Sequence, residues 1–251
     1  MTRVGLFIPC YVDQFYPQVG IATLQLLEKL GCEVFFPMQQ TCCGQPMANS
    51  GYEHLGAGCN ENFVKDFASF DYIVCPSGSC TLHVKDHLHS ARDEHAASQI
   101  RSRIYELSEF LTDVLKVEQL EARFPYRVGL HQSCHGQRGL MMSQMTELVA
   151  APFSKPVQLL KLVEGLELVA LNRKDECCGF GGTFCVTEEA VSVKMGKDRV
   201  ADHEQQGVAY IAGADMSCLM HMEGILRRKG SAVKVIHIAE ILNSVIDEPA
   251  N

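Results

Sequence analysis

The stretch Val4-Gly5-Leu6-Phe7-Ile8-Pro9-Cys10 returns 124 positions later as Val128-Gly129-Leu130-His131-Gln132-Ser133-Cys134, a short apolar run that ends on a cysteine. Three further signals return in the same order. Cys42-Cys43-Gly44 is matched by Cys177-Cys178-Gly179, and Ser79-Cys80-Thr81-Leu82-His83 by Ser217-Cys218-Leu219-Met220-His221. Glu106-Leu107-Ser108-Glu109-Phe110-Leu111 resembles His237-Ile238-Ala239-Glu240-Ile241-Leu242. Four signals repeated in one order mark an internal duplication. Arg123-Phe124-Pro125-Tyr126 separates a helical stretch from the second Val-Gly-Leu run, so the first repeat is expected over 1–122 and the second over 123–251.

Within each repeat, apolar runs of strand length alternate with helical periodicity. Val4 to Ile8, Glu33 to Phe36 and Tyr72 to Val74 read as strands of the first repeat. In the second, Val128 to Leu130, Leu166 to Leu171, Val208 to Ile211 and Val233 to Ile236 do so. Val19 to Leu30 carries apolar residues at helical spacing and stops before Gly31, a residue suited to a helix C-terminus. Strands alternating with helices predict parallel sheets with right-handed crossovers. The expected architecture is two pseudo-symmetric, Rossmann-like α/β halves. In such sheets ligands gather beyond the carboxyl ends of the strands. Cys10 and Cys134 follow the first strand of each half, while Cys80 and Cys218 lie beyond a later strand and enter a helix.

The 251 residues, 47% hydrophobic and 21% charged, have a globular composition. A net charge of -8 argues against a nucleic-acid partner and against adhesion to anionic lipid. No apolar run approaches the ~18 residues that span a bilayer. The N-terminal run is too short for a signal-peptide core, which predicts a cytoplasmic protein. Thiols stay reduced in a cytosol, so twelve cysteines there point to metal or redox chemistry rather than disulfides.

The spacing narrows the chemistry. In the first half, 31 residues separate Cys10 from Cys42 and 36 separate Cys43 from Cys80. In the second, 42 separate Cys134 from Cys177 and 39 separate Cys178 from Cys218. Each gap is about one βα unit, suiting ligands delivered from successive loops to one point, unlike the compact cysteine runs of ferredoxins. Adjacent cysteines seldom reach one mononuclear ion together, but they can reach different irons of one cluster. Gly44 and Gly179 let the backbone come close to such a core. Cys80/His83 and Cys218/His221 are pairs at i and i+3, on one helix face, so each histidine is either a ligand or a hydrogen-bond partner of a ligand. Cys32 and Cys59 have no counterpart in the other repeat and read as structural, while Cys75 and Cys185 are minor candidates. His131, His135 and Arg138 flank Cys134 and read as surface residues, with contacts to an acidic substrate as the alternative. The glycines of Gly179-Phe180-Gly181-Gly182 read as room for a cluster, since no phosphate-binding signature accompanies them.

The duplicated Cys…Cys-Cys-Gly…Cys plan resembles the cysteine-rich "CCG" domain family of iron–sulfur oxidoreductases, which includes the B subunit of heterodisulfide reductase. Pro76-Ser77-Gly78-Ser79-Cys80 and Asp215-Met216-Ser217-Cys218-Leu219-Met220-His221 are similar to its lactate-utilisation branch, the small subunits of bacterial L-lactate-oxidising complexes. The resemblance implies one iron–sulfur cluster per half, of the 4Fe-4S kind. Cys10, Cys42, Cys43 and Cys80 hold the first and Cys134, Cys177, Cys178 and Cys218 the second. It also implies a ferredoxin-like iron–sulfur subunit and a third subunit as partners in oxidising L-lactate to pyruvate. The heterodisulfide reductase pattern ends each half in Cys-x-x-Cys, where this chain has His83 and His221; zinc in one half is therefore an alternative filling. A heterodisulfide or thiol–disulfide reductase, and a zinc-stabilised scaffold, are the competing functions.

Overall fold

Alternating apolar runs and amphipathic helices build two four-stranded parallel sheets in the computed structural model, which describes residues 2–245. The end of the second repeat, from residue 246 on, lies outside them. The chain divides after Phe110 into two compact units. The first runs β1 (Arg3–Leu6), α1 (Cys10–Phe15), α2 (Pro17–Lys29), β2 (Glu33–Phe35), α3 (Gln45–Asn49), α4 (Ala57–Phe67), β3 (Tyr72–Cys75), α5 (Gly78–His87), α6 (Glu94–Arg103), β4 (Ile104–Glu106) and α7 (Leu107–Glu109). The second runs β5 (Arg127–His131), α8 (Lys155–Leu160), β6 (Glu167–Val169), α9 (Phe184–Thr187), α10 (Glu189–Gln205), β7 (Tyr210–Gly213), α11 (Met216–Lys229), β8 (Lys234–His237) and α12 (Ile238–Leu242).

The strand orders are β2-β1-β3-β4 and β6-β5-β7-β8, with every pairing parallel. In each unit the chain leaves its first strand, adds the second on one side, and crosses back to add the third on the other. The connections above the first and third strands therefore diverge and leave a crevice at their carboxyl ends, the usual ligand position of such sheets. The expected α/β architecture with two similar halves is the one observed.

Local sequence explains the element ends. Helix α2 has Pro17 in its first turn and buries Val19, Ala22, Thr23, Leu26 and Leu27, the stripe that helical periodicity dictates. It stops at Leu30, and Gly31 takes φ +81° beyond it. β1 ends earlier than its apolar run because the Ile8 N–H donates to Gln40 Oε1 at 2.8 Å instead of to a strand. β4 has only three residues and follows α6 directly, too short a run to stand out in the sequence. The last repeated signal is a matched pair of reciprocal helix caps. Glu106 and Glu109 exchange side-chain and backbone hydrogen bonds at the start of α7, and His237 and Glu240 do the same at the start of α12.

The strands lie close under their helices. Phe7, Phe63 and Phe67 form an aromatic cluster in the first unit, with ring centroids 4.6–5.7 Å apart. A Cβ at Gly5 would come within 2.5 Å of Phe70 and 3.0 Å of Phe67. At the equivalent Gly129 it would meet His203 at 2.4 Å and Val208 at 3.0 Å. These two glycines are thus required by packing. Replacing Gly129 with Ala should lower stability by ~1–3 kcal/mol through overpacking, read as a fall in the urea midpoint.

Candidate metal centres

The crevice of each unit collects the repeated cysteines. Cys10 is the first residue of α1, directly after β1, and Cys134 stands at the start of the helical turn His135–Gly139 after β5. Cys42 and Cys43 lie in the loop after β2, and Cys177 and Cys178 in the loop after β6. Cys80 and Cys218 are each the third residue of a helix, α5 and α11, that follows the third strand. Ser77 caps α5 by accepting from the Cys80 N–H, and Asp215 caps α11 by accepting from the Ser217 N–H. Both sulfurs therefore sit in the first turn of a long helix, where the backbone dipole favours negative charge.

In each unit the four thiols touch in series. Cys10 hydrogen-bonds Cys42, Cys42 also pairs with Cys43, and Cys43 pairs with Cys80. Cys134, Cys177, Cys178 and Cys218 repeat that chain of contacts. The Gly44 N–H donates to Cys42 Sγ at 3.4 Å and the Gly179 N–H to Cys177 Sγ at 3.3 Å. Hydrogen bonds from Cys10 and Cys43 hold the Cys42 thiol far below the ordinary thiol range, and Cys134 and Cys178 do the same to Cys177. The donors respond oppositely: Cys10, Cys43, Cys134 and Cys178 are all pushed up, because each holds its proton against the neighbouring thiolate.

Glycine is obligatory beside both pairs. Gly44 has φ +93° and Gly179 φ +86°, and a Cβ on Gly179 would lie 2.7 Å from the Ser192 carbonyl oxygen. Gly181 and Gly182 also take positive φ, so the loop before α9 turns tightly around the second quartet. Two side chains brace the loops from equivalent positions. Gln40, two residues before Cys42, accepts from the Ile8 N–H and donates to Leu6 O at 3.2 Å, tying the loop to the end of β1. Asp175, two residues before Cys177, accepts from Gln137 Nε2 at 2.6 Å and from the Thr146 N–H. Neither brace is announced by a motif; only the constant offset from the cysteine pair could have pointed to them.

The other candidates divide. His83 lies at the first quartet, its Nε2 3.6 Å from where a Gly44 Cβ would stand, and burial lowers its pKa. His221 lies at the second, but its Nε2 meets the Ser192 carbonyl at 3.3 Å. Cys59, read as structural, stands at the edge of the first site and feels the charge of Cys42. Cys32 is buried apart, the Cys75 thiol donates to Ser77 O at 3.8 Å, and the Cys185 thiol donates to Gly182 O at 3.0 Å.

The surface reading of His131 is overturned. It is 1% exposed, because it ends the central strand β5 rather than starting a loop. One of its ring nitrogens and the sulfurs of Cys178 and Cys218 all lie within 4.8 Å of one another. Burial, and then the charge of Arg199, lower its pKa to about 3. Arg138 remains on the surface and pairs with Glu147. The signal that could have exposed His131 is its place in the repeat, where the first half has Phe7.

Four converging thiols, a close-approaching backbone and a helix start per unit are the donor set of a thiolate metal or cluster site, and the residues fit such a group. Comparison with known proteins agrees: the chain belongs to the cysteine-rich CCG domain family, whose model matches residues 4–85 and 128–223. It is 42% identical to "Lactate utilization protein A" of Geobacillus thermodenitrificans over 96% of this chain and 98% of that one. The Bacillus subtilis protein of the same name is 42% identical over 96% of this chain and 99% of its own length. The crystal structure of a hypothetical protein from Helicobacter pylori shares the fold with a TM-score of 0.56 at 12% identity, over 98% of this chain and 50% of that one. Among the described residues, no helix is long and apolar enough to cross a membrane.

The thiol pattern has a direct test in the metal-free, reduced protein. A lowered pKa keeps a thiol ionised far into the acid range, and the thiolate is the reactive form. At pH 5 iodoacetamide should therefore label Cys42 and Cys177 ahead of Cys10 and Cys134, as mapped by peptide mass. Equal labelling of all four would contradict the shared-proton arrangement.

Proposed function

We propose that the protein is an iron–sulfur electron-transfer subunit of a complex oxidising L-lactate to pyruvate. The observation that carries this reading is the pair of equivalent four-sulfur quartets, each at a crevice of a parallel sheet. Each repeat, 1–122 and 123–251, holds one cluster of the 4Fe-4S kind. Cys10, Cys42, Cys43 and Cys80 hold the first, and Cys134, Cys177, Cys178 and Cys218 the second. The name carried by the relatives supports lactate as the fuel.

When bound, each cluster supplies a one-electron redox centre. The chain's own residues hold and shield it. The Gly44 and Gly179 N–H groups and the first turns of α5 and α11 offset thiolate charge, while Gln40 and Asp175 keep the cysteine loops in place. His83 and His221 tune the sites rather than hold them. Lactate oxidation releases two electrons and two protons, and the sequence carries no flavin or nicotinamide fingerprint. The lactate site therefore belongs to the assembled complex, with a ferredoxin-like iron–sulfur subunit and a third subunit as partners, in the cytoplasm.

A second reading, zinc in the second half of a scaffold subunit, is favoured by the mixed imidazole–thiolate grouping of His131, Cys178 and Cys218. Anaerobic purification of the co-expressed complex separates the two. Brown protein with iron and sulfide, and an EPR signal on reduction, supports clusters; colourless protein containing zinc supports the scaffold. Replacing Cys42 and Cys43 with Ser should remove about half the bound metal, measured by elemental analysis, and complete loss would mean one shared site. His83→Ala and His221→Ala should keep the metal while the reduction potential moves, because partners outside the ligand set usually cost only ~10–100-fold in affinity or activity. A metal-free His83→Ala protein would make His83 a ligand.

A further inference from the structure

The two halves match in backbone and differ in what lies beneath the sulfurs. Phe7 follows Leu6 as His131 follows Leu130. Phe63 and Phe67, four residues apart on α4, pack against Phe7 at 4.8 and 5.7 Å between ring centroids. On α10 the same roles fall to Arg199 and His203, also four apart. Arg199 Nε donates to His131 Nδ1 at 3.1 Å, and His203 presses on Gly129 as Phe67 presses on Gly5. An apolar aromatic wall in one half is thus a buried polar one in the other, built around an ion-paired guanidinium. Arg199 and His203 are 0% exposed.

Burying a guanidinium and two imidazoles is costly, and the first half shows that three phenylalanines fill this space. Arg199 is also firmly oriented. Arg199 Nη1 pairs with Asp202 Oδ2 at 3.3 Å, and Asp202 accepts from the Asn172 and Arg173 N–H groups at 3.2 and 3.1 Å. Because arginine keeps its protons, Arg199 Nε can only donate to His131 Nδ1. The ring proton of neutral His131 is therefore on Nε2. That atom is buried and has no hydrogen-bond partner among the described residues, while the ring lies against Cys178 and Cys218. A ligand nitrogen needs a free lone pair, and this tautomer offers a proton instead.

We propose that His131, oriented by Arg199, donates an N–H hydrogen bond to the thiolate side of the second-half cluster and sets its reduction potential above that of the first-half cluster. The inference rests on the reading that each half holds an iron–sulfur cluster. Reduction adds one electron, supplied by the proposed lactate oxidation, and no bond is made or broken at His131. The added negative charge is stabilised in the second half by the N–H donor and the adjacent guanidinium. In the first half it faces the Phe7 ring, which offers neither. The second cluster is then the stronger electron acceptor of the pair.

The test is an EPR-monitored redox titration of the anaerobically purified protein, with the Cys42→Ser/Cys43→Ser variant marking which signal belongs to the second half. Two midpoint potentials are expected in the unaltered protein, the second-half one higher. His131→Leu should lower that potential alone, with iron content unchanged, and His131→Gln, which keeps an N–H donor, should restore most of the shift. Nitrogen-15 NMR of the metal-free protein should report the Nε2–H tautomer of His131, a readout independent of cluster loading. Unmoved potentials in His131→Leu, a loss of half the iron in that variant, or an Nδ1–H tautomer each overturn the proposal while leaving the cluster reading intact. Unaltered protein without iron overturns the cluster reading and this inference with it.

Discussion

Four sulfur atoms, each within hydrogen-bond reach of the next in series, are the constraint on which each half depends. Thiolates at that spacing repel, and shared protons offset the repulsion: hydrogen bonds push Cys42 and Cys177 toward the thiolate form and Cys10, Cys43, Cys134 and Cys178 toward the thiol. A metal group bound there would take the place of those protons and offset the same repulsion more strongly. The fold has to bring the four sulfurs together first. A parallel sheet in the order second, first, third, fourth does this, because loops leaving its first three strands overlook one crevice. The backbone N–H groups of Gly44 and Gly179 and the starts of α5 and α11 then supply positive potential at fixed positions.

Duplication preserved this geometry and let the supporting chemistry change. Gln40 and Asp175 brace the same loop by different bonds. Ser77 and Asp215 cap equivalent helices, and Glu106 and His237 open equivalent capping boxes at the ends of β4 and β8. Both of the last pair are fully buried, and burial raises Glu106 to about 8. The conserved quantity between halves is the position of a hydrogen bond, not the residue making it. At the wall beneath the sulfurs, Phe7, Phe63 and Phe67 against His131, Arg199 and His203, even the polarity has changed.

Much of this was legible in the sequence because it is written in short, local signals. Strand runs such as Tyr72-Ile73-Val74 and the stripe from Val19 to Leu27 follow from burial on one or both faces. The eight cysteines were legible because each pattern occurs twice. His131 was not: next to Cys134 it looks like a loop residue, and only the pairing of β5 with β7 shows that it closes a central strand. The Arg199–Asp202 pair was equally hidden, since a charged i, i+3 pair on a helix is nearly always solvated. Its burial comes from the neighbouring strand, a contact 68 residues away in sequence for Arg199 and His131.

The two Cys-x-x-His pairs show how far spacing alone carries. It puts His83 and His221 on the cysteine-bearing face of α5 and α11, and there the likeness stops. His83 stacks on His87 at 4.9 Å and leans toward Gly44. His221 meets the Ser192 carbonyl, the same oxygen that would collide with a Cβ on Gly179. That carbonyl thus fixes both the cysteine loop and the histidine of the second site. Ser192, Arg199, Asp202 and His203 all belong to α10, so a single helix sets the loop, the imidazole and the buried charge around one quartet. In the first half α4 contributes Phe63 and Phe67 and no such charge. The difference between the sites is therefore carried by one crossover helix.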